Sequence, residues 1–145
     1  MTTEAIDVMR LLETVRDRNP VAKALGITIE SGSLGRARAV MPVREDMVNS
    51  KGTLHGGYSA LLADQAAGWA CMTHNEQAVT QSALVTYVSA GQLGEELVAD
   101  GEELVKTKRG GTYDVRITTR DGRVVVLARC QYVVLQGNHI IEPGT

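Results

Sequence analysis

The chain has 145 residues, of which 43% are hydrophobic and 22% charged, and its formal net charge is -2. This length fits a single domain, residues 1–145, and the composition is that of a globular chain. The slight acidic excess argues against a nucleic-acid-binding protein, which normally carries a strong basic surplus. A small anionic ligand held by a local basic patch remains compatible with it.

The sequence also bears on compartment and metal binding. The N-terminus alternates charged and apolar residues, unlike a signal peptide, and no apolar run approaches the ~20 residues of a membrane helix. Cys71 and Cys130 lie in apolar runs, without a CxxC spacing or a Cys/His cluster. We therefore expect two buried thiols, no metal site and no cofactor. A cytoplasmic protein without membrane or nucleic-acid partners follows as an expectation.

Two helices are predicted at the start of the chain. Apolar residues fall on one stripe from Glu4 to Arg16, which is typical of an amphipathic helix. Asn19-Pro20 is typical of an N-cap followed by the first helical residue. It predicts a short helix from Val21 to Leu25 that ends at Gly26.

A hairpin and a loop are predicted next. Apolar and polar residues alternate from Gly26 to Val43, as in half-buried strands. Ser31-Gly32-Ser33 and Gly35 mark the turn between the two strands. From Arg44 to Gly57 the chain is rich in glycine and polar residues, which indicates a loop.

A long helix is predicted from Tyr58 to Met72, and it is apolar in nearly every direction. Such a helix is surrounded by protein on most sides. One carboxylate, Asp64, lies near its middle. Because an isolated buried carboxylate costs several kcal/mol or more, Asp64 must lie at the surface, be hydrogen-bonded in the core, or face a cleft.

The rest of the chain predicts strands. Asp121-Gly122 is a favoured two-residue hairpin turn, and the tail from Gly137 to Pro143-Gly144 is polar. The predicted strands are Ala78–Val88, Glu96–Lys106, Thr112–Arg120 and Arg123–Leu135. An antiparallel meander that wraps the long helix is the simplest packing, so we predict an α+β fold. Free sheet edges favour pairing with a second copy.

The loop before the long helix carries the groups of a possible active site. Free N–H groups at a helix N-terminus bear partial positive charge, and Gly56-Gly57 lets a ligand oxygen approach them. That is the composition of an oxyanion hole. Asn49 and His55 add polar side chains. Taken alone, each also fits a structural role, His55 as a brace of the turn and Asn49 as a turn residue.

The stretch Asn49…His55-Gly56-Gly57-Tyr58-Ser59-Ala60-Leu61-Leu62-Ala63-Asp64 resembles the signature of the hotdog-fold acyl-CoA thioesterases. Within them it is most similar to the phenylacetic acid degradation thioesterase subfamily. The shared pattern is an Asn, a His-Gly-Gly six residues later, and an Asp nine residues after the His. The resemblance covers nearly the whole chain, to the last strand near Tyr132. It implies a hotdog fold, a homodimer with the site at its interface, and usually a homotetramer.

The resemblance also implies roles for these residues. The N–H of Gly56, with that of Gly57, would polarise the thioester carbonyl. Asp64 of the partner subunit would act as nucleophile or as general base on a water. Asn49 would position the carboxylate or the water, and His55 would hold the loop and the thioester.

Further residues would bind the substrate, an acyl-CoA. The best local basic patch for the phosphates of coenzyme A consists of Lys106, Lys108 and Arg109, beside Gly110-Gly111. The same residues would also be found in an ordinary solvent-exposed turn. Lys106 and Lys108 would share one strand face if the strand extends that far.

The acyl pocket is less well defined by the sequence. Ser82 is a candidate to line it. Four apolar residues of the long helix are further candidates, although each also fits the plain core: Tyr58, Leu61, Trp69 and Met72. Leu84 stands where the family carries a polar residue, and Ser89-Ala90 replaces its Arg-Pro. These departures leave phenylacetyl, hydroxybenzoyl and medium-chain fatty acyl groups open.

Three other functions compete with hydrolysis. A non-catalytic acyl-CoA-binding hotdog module would have no need of Asp64. A hotdog dehydratase or hydratase would need a second acid–base pair, which the sequence does not show. A structural domain that oligomerises through its sheet would leave the Asn49, His55 and Asp64 spacing unexplained. The sequence therefore favours the thioesterase.

Overall fold

The structure, a computed structural model, describes residues 6–142. Within that range the chain forms three α-helices and six β-strands, and a short 3-10 helix, Glu45–Met47, lies in the loop before the third helix. In chain order they are α1 (Val8–Asp17), α2 (Pro20–Leu25), β1 (Thr28–Ser33), β2 (Arg36–Pro42), α3 (Gly56–Met72), β3 (Glu76–Tyr87), β4 (Glu96–Lys106), β5 (Gly110–Thr119) and β6 (Val124–His139).

All six strands form one antiparallel sheet in the order β1-β2-β4-β5-β6-β3. The predicted α+β class is confirmed. The predicted meander holds for β4, β5 and β6, but it is wrong for β3, which pairs with β6 at the far edge. Because β4 lies between β2 and β5, the connection over residues 88–95 has to cross from the edge strand β3 past β6 and β5 to the middle of the sheet.

The helix α3 packs on one face of this sheet, as its apolar sequence predicts. Its buried residues are Ser59, Leu62, Ala63, Ala66, Ala67, Gly68, Trp69, Ala70 and Cys71. The approach is close, because a Cβ added to Gly101 of β4 would lie 2.6 Å from the carbonyl oxygen of Ala66. Alanine on the helix and glycine on the strand therefore set the distance between the two layers.

The two N-terminal helices differ little from the prediction. α1 begins at Val8 with Asp7 as its N-cap, and only Leu11 and Leu12 of its stripe are buried. Glu4, where the prediction began, lies outside the described residues. Asn19 caps α2 through its side chain, with Pro20 at the first turn, and Gly26 ends the helix at φ 69. These capping predictions are confirmed.

The hairpin of β1 and β2 is confirmed, but its turn lies later than expected. β1 runs through Ser31-Gly32-Ser33, and Leu34 and Gly35 make the turn, with Gly35 at φ 77. Gly32 has a packing role instead, because a Cβ there would lie 2.3 Å from Cδ1 of Leu12. A glycine can thus mark a helix contact as well as a turn.

The later strands match the prediction at their centres and differ at their ends. β4 has the predicted bounds, and β5 begins at Gly110 rather than Thr112. β6 continues to His139, past Gly137, because His139 pairs with Glu76 of β3. The predicted end of the polar tail at Pro143-Gly144 lies outside the described residues.

Candidate active site

The helix α3 begins at the loop that the sequence singled out. His55 is its N-cap, and Nδ1 of the ring accepts the backbone N–H of Gly57 at 2.9 Å. The N–H of Gly56 has no acceptor within residues 6–142. The expected pair of free N–H groups is therefore reduced to one, that of Gly56, because the N–H of Gly57 is already bonded.

The hydrogen bond to Gly57 fixes the state of the His55 ring. Since Nδ1 accepts a hydrogen bond, it carries no hydrogen in the neutral ring, and the ring hydrogen is on Nε2. This tautomer is assigned from the hydrogen-bond geometry. The side chain is exposed, and its ring meets that of Tyr58 edge-on, with centroids 6.4 Å apart. His55 thus braces the helix start and can offer Nε2–H to a ligand.

The ring of Tyr87 covers Gly56. A Cβ added to Gly56 would lie 3.0 Å from Cε1 of Tyr87, which is at the end of β3 and 55% exposed. The sequence did not identify this neighbour of the free N–H. Its exposure at a strand end is visible only in the structure.

Asp64 lies on the half-buried face of α3 and accepts two hydroxyl hydrogen bonds. Thr80 of β3 donates from Oγ1 to Oδ1 at 2.8 Å, and the Tyr132 hydroxyl of β6 donates to the same Oδ1. The other oxygen, Oδ2, has no partner among the residues that the structure describes. The carboxylate is therefore held by one oxygen and open at the other.

Neither hydroxyl partner of Asp64 was identified from the sequence. They lie 16 and 68 residues from it along the chain, so no local spacing links them. Tyr132 does carry a signal. It sits at an inward position of an apolar strand, and a buried tyrosine hydroxyl normally finds a polar partner.

A β-bulge in β3 decides which side chains face Asp64. Thr80 pairs with Tyr132 and Ser82 with Gln131, so the register shifts by one residue at Gln81. Paired residues share a face of the sheet. Thr80 therefore faces the helix, whereas Ser82 faces outward with the exposed Gln131. This register argues against Ser82 as a residue of an acyl pocket beside Asp64.

The free N–H and the carboxylate are far apart within one chain. Gly56 and Asp64 are eight positions apart in α3, and at 1.5 Å per residue this separates them by about 12 Å along the axis. A thioester carbonyl cannot touch both groups in a single subunit. A second copy of the chain would have to supply one of them.

Asn49 holds its own loop together. Its Oδ1 accepts the N–H of Lys51 at 2.9 Å, and its Nδ2 donates to Oγ1 of Thr53 at 3.1 Å. No hydrogen bond joins it to Asp64 within residues 6–142. In this chain Asn49 thus takes the turn role that its residue type also predicted.

Tyr58 and Leu61 lie on the same face of α3 as Asp64, since residues three or four apart are neighbours on a helix. All three are half-buried, in contrast to the buried face that meets the sheet. Leu61, three residues before Asp64, is therefore its neighbour on the helix, whereas Tyr58 lies six residues before it, closer to the helix start.

The basic patch is smaller than expected. β4 ends at Lys106, so Lys106 and Lys108 do not share a strand face, and Nζ of Lys106 lies 3.1 Å from Oε1 of Glu76. Lys108 and Arg109 lie in the turn, exposed, and their side chains have no partner within residues 6–142. Gly110 is buried, and it packs so closely that a Cβ there would lie 2.1 Å from the carbonyl oxygen of Tyr132.

The described residues also bear on two expected absences. Between residues 6 and 142 no group of three or more metal-ligating side chains comes together. No helix in that range is long and apolar enough to cross a membrane. Cys71 and Cys130 are both buried and free, as expected.

Comparison with known proteins gives concordant matches. The sequence profile of the thioesterase superfamily matches residues 51–126. The acyl-coenzyme A thioesterase PaaI of Escherichia coli K12 is 33% identical over 113 residues, which cover 78% of this chain and 81% of the relative. The solved structure of E. coli PaaI, from the phenylacetic acid degradation operon, has a TM-score of 0.88 at 29% identity and covers 90% of this chain and 95% of its own.

A hypothetical thioesterase protein of Streptococcus pneumoniae TIGR4, solved with coenzyme A, has a TM-score of 0.72 at 30% identity and covers 74% of this chain and 84% of its own. Two variants of that protein, Asp to Ala and Thr to Ala, have also been solved. The two positions lie 16 residues apart, as do Asp64 and Thr80. The hotdog fold that the sequence implied is confirmed by these likenesses, and the chain belongs to the thioesterase superfamily.

Proposed function

We propose that this protein is an acyl-CoA thioesterase that hydrolyses an aryl-acyl-CoA, such as phenylacetyl-CoA or a hydroxylated derivative, to the free acid and coenzyme A. One observation carries the proposal. Two hydroxyl groups hold Oδ1 of Asp64, while Oδ2 has no partner among residues 6–142 and lies on a half-exposed helix face. An ionised carboxylate in that arrangement can attack a carbonyl or take a proton from water.

Polarisation of the thioester carbonyl falls to Gly56. Its N–H has no acceptor within residues 6–142 and lies at the positive end of the α3 dipole. An oxyanion that forms there gains a hydrogen-bond donor that is fixed in place before the reaction. Gly57 contributes indirectly, because its bond to His55 orders the turn from which the Gly56 N–H projects.

The acyl and nucleotide ends of the substrate have separate candidate contacts. Tyr58 and Leu61 offer an apolar surface one to two turns from Asp64 on the same helix face. Lys108 and Arg109 are exposed cations without side-chain partners in the described chain, suited to the phosphates of coenzyme A. Support for the substrate class comes from the PaaI relative and from the coenzyme A in the S. pneumoniae structure.

The site is proposed to form between two copies of the chain, in a homodimer that pairs into a homotetramer. The separation of about 12 Å between Gly56 and Asp64 along α3 requires a partner for chemistry at one carbonyl. The edge strand β3 supports the dimer, since its twelve residues leave one row of backbone groups unpaired. Its side chains Val79, Leu84 and Tyr87 are 49%, 74% and 55% exposed.

The first experiment measures hydrolysis of phenylacetyl-CoA, hydroxybenzoyl-CoA and straight-chain acyl-CoA esters by the wild type and by Asp64→Asn. The substitution keeps the shape and removes the charge. We expect a folded variant that binds substrate and loses about 10²-fold or more in turnover. Preference for straight chains would replace the aryl substrate by a medium-chain one. Binding without turnover of any ester by the wild type would favour a non-catalytic acyl-CoA-binding module.

A second experiment tests the shared site. Gly56→Pro removes the N–H, and proline suits the first helical position. Its Cβ would press on the ring of Tyr87, so Gly56→Ala, which adds the same Cβ but keeps the N–H, is the matched control. Asp64→Asn and Gly56→Pro chains are each expected to be inactive alone. When they are co-expressed, a mixed dimer has one site with both lesions and one site with none, so about one quarter of wild-type activity should return. No return of activity in mixed dimers would contradict a site built from two chains.

A further inference from the structure

We propose that Tyr132 is a positioning residue for the Asp64 carboxylate, which it holds from the interior of the protein so that the second carboxylate oxygen stays open to the substrate side. This proposal rests on the proposed function, because it assigns Asp64 a chemical step. Tyr132 itself is buried, so its role is assigned through Asp64 and not through contact with the substrate.

The contact of Tyr132 with α3 involves two atoms of Asp64. Tyr132 is 4% exposed, and its hydroxyl donates to the Asp64 main-chain carbonyl oxygen at 2.5 Å and to Oδ1 of the side chain. A phenol has one proton, so the two acceptors share it. The hydroxyl therefore ties the carboxylate to the backbone of its own helix turn and restricts the side-chain torsions of Asp64.

The chain is built to let this hydroxyl come close. A Cβ added to Gly68, one turn after Asp64, would lie 3.1 Å from the Tyr132 oxygen. On the other side, the Tyr132 ring packs edge-on against Tyr113, with centroids 5.9 Å apart. The Tyr132 hydroxyl thus reaches Asp64 from a ring that is packed in the core. The missing side chain at Gly68 leaves the space for that hydroxyl.

Asp64 is surrounded by neutral donors rather than by cations. No lysine, arginine or histidine within residues 6–142 forms an ion pair with it. Burial, and after it the charge of Asp64, raises the pKa of the Tyr132 phenol well above its ordinary range. The same two causes raise the pKa of the Cys130 thiol to about 11. Both groups therefore stay protonated at neutral pH.

Neutral donors suit a reactive carboxylate. A cation would orient Asp64 but would also neutralise the charge that makes it a nucleophile or a base. Tyr132 and Thr80 both bind Oδ1, from β6 and β3. This one-sided arrangement leaves the electron pairs of Oδ2 free, which a symmetric set of donors would not do.

The test is Tyr132→Phe, with Tyr113→Phe as the matched control. Both remove one buried phenol oxygen, but the Tyr113 hydroxyl donates to Glu103 and not to Asp64. Two quantities are measured for each variant: the pH at which the Asp64 carboxyl carbon titrates by NMR, and the pH profile of kcat for the preferred acyl-CoA. The NMR readout needs no activity, so it is independent of the proposed function.

Because Tyr132→Phe removes one hydrogen bond that favours the ionised carboxylate, the NMR titration and the acid limb of kcat should both lie at higher pH in the variant than in the wild type. We also expect kcat to fall about 3–10-fold with KM little changed, since the lost bond acts on Asp64 and not on substrate binding. Tyr113→Phe should leave both pH values where they are.

Several outcomes would overturn the proposal. One is an unchanged Asp64 titration in Tyr132→Phe, and another is an equal shift in both variants, which would indicate general loosening of the core. If Tyr132→Phe does not fold, Gly68→Ala takes its place, because the added methyl would push the hydroxyl by a few tenths of an ångström, and a smaller shift in the same direction is expected. A wild type that hydrolyses no thioester would contradict the proposed function alone, since the NMR titration would still show whether Tyr132 holds Asp64.

Discussion

His55 accepts the backbone N–H of Gly57 through Nδ1 at 2.9 Å, so the histidine of the signature loop is also the N-cap of the long helix. One side chain therefore serves the stability of α3 and the shape of the turn that presents the Gly56 N–H. These two contributions can be separated by substitution.

Replacing His55 should destabilise the protein through the lost cap. We expect His55→Ala to lower the free energy of unfolding by about 1 kcal/mol, and His55→Asn, which can cap in the same way, to restore most of it. Urea unfolding of the three proteins measures this. Turnover should fall in both variants, because neither retains an imidazole Nε2–H. Equal stability of His55→Ala and the wild type would show that the Gly57 hydrogen bond contributes nothing.

The turn after β4 should recognise only the nucleotide end of the substrate. The double variant Lys108→Gln, Arg109→Gln should raise KM for an acyl-CoA about 3–10-fold, with kcat unchanged, because two charge-assisted phosphate contacts are lost. The N-acetylcysteamine thioester of the same acid lacks those phosphates, and its KM should not change. Lys23→Gln, an exposed lysine of α2, is the matched control. An equal effect on both substrates would show that Lys108 and Arg109 do not act through the phosphates of coenzyme A.

Acid should weaken one ion pair that joins the β5–β6 turn to the crossing connection. Arg123 donates to Glu95 at 2.7 and 3.0 Å, and this hydrogen bond, the largest cause, holds the pKa of Glu95 below its ordinary value. A group whose pKa is lower in the folded state stabilises the fold above its unfolded pKa. That contribution is lost as pH falls through the folded pKa.

The variant Glu95→Gln should therefore be less stable than the wild type at pH 7, and the difference should shrink between about pH 5 and pH 3. Urea unfolding across this range measures it. Glu13→Gln serves as control, since Glu13 is exposed and forms no ion pair in the described part of the chain. A gap that widens toward acid would reverse the assigned sign.

Much of the fold can be predicted from the sequence, because the spacing of apolar residues distinguishes helices from strands. The all-apolar run of α3, the Asn19-Pro20 cap and the bounds of β4 are local properties, and the structure has them. The place of β3 in the sheet is not local. It depends on pairing with β6, some fifty residues later, and on a crossing connection that no residue pattern marks.

The candidate site divides in the same way. Asn49, His55, Gly56 and Asp64 lie in one segment, where their spacing alone identifies them. Thr80 and Tyr132 reach Asp64 through strand pairing, and a single extra residue at Gln81 decides that Thr80 rather than Ser82 faces the helix. Bulges shift the two-residue period of a strand without a sequence signal of their own.

The close approach of Gly101 to the Ala66 carbonyl has a consequence for how this protein can diversify. Helix and sheet are in direct contact at this point, and the rest of the space between them is filled by the buried core, so an acyl group does not fit there. Any pocket beside Asp64 must instead be shaped by the opposite face of α3, where Tyr58 and Leu61 are half-buried. One face of α3 thus stabilises the fold, and the opposite face determines the selectivity for the acyl group. New substrates can be explored by exchanging outer residues while the interior, and with it the stability of the chain, is left alone.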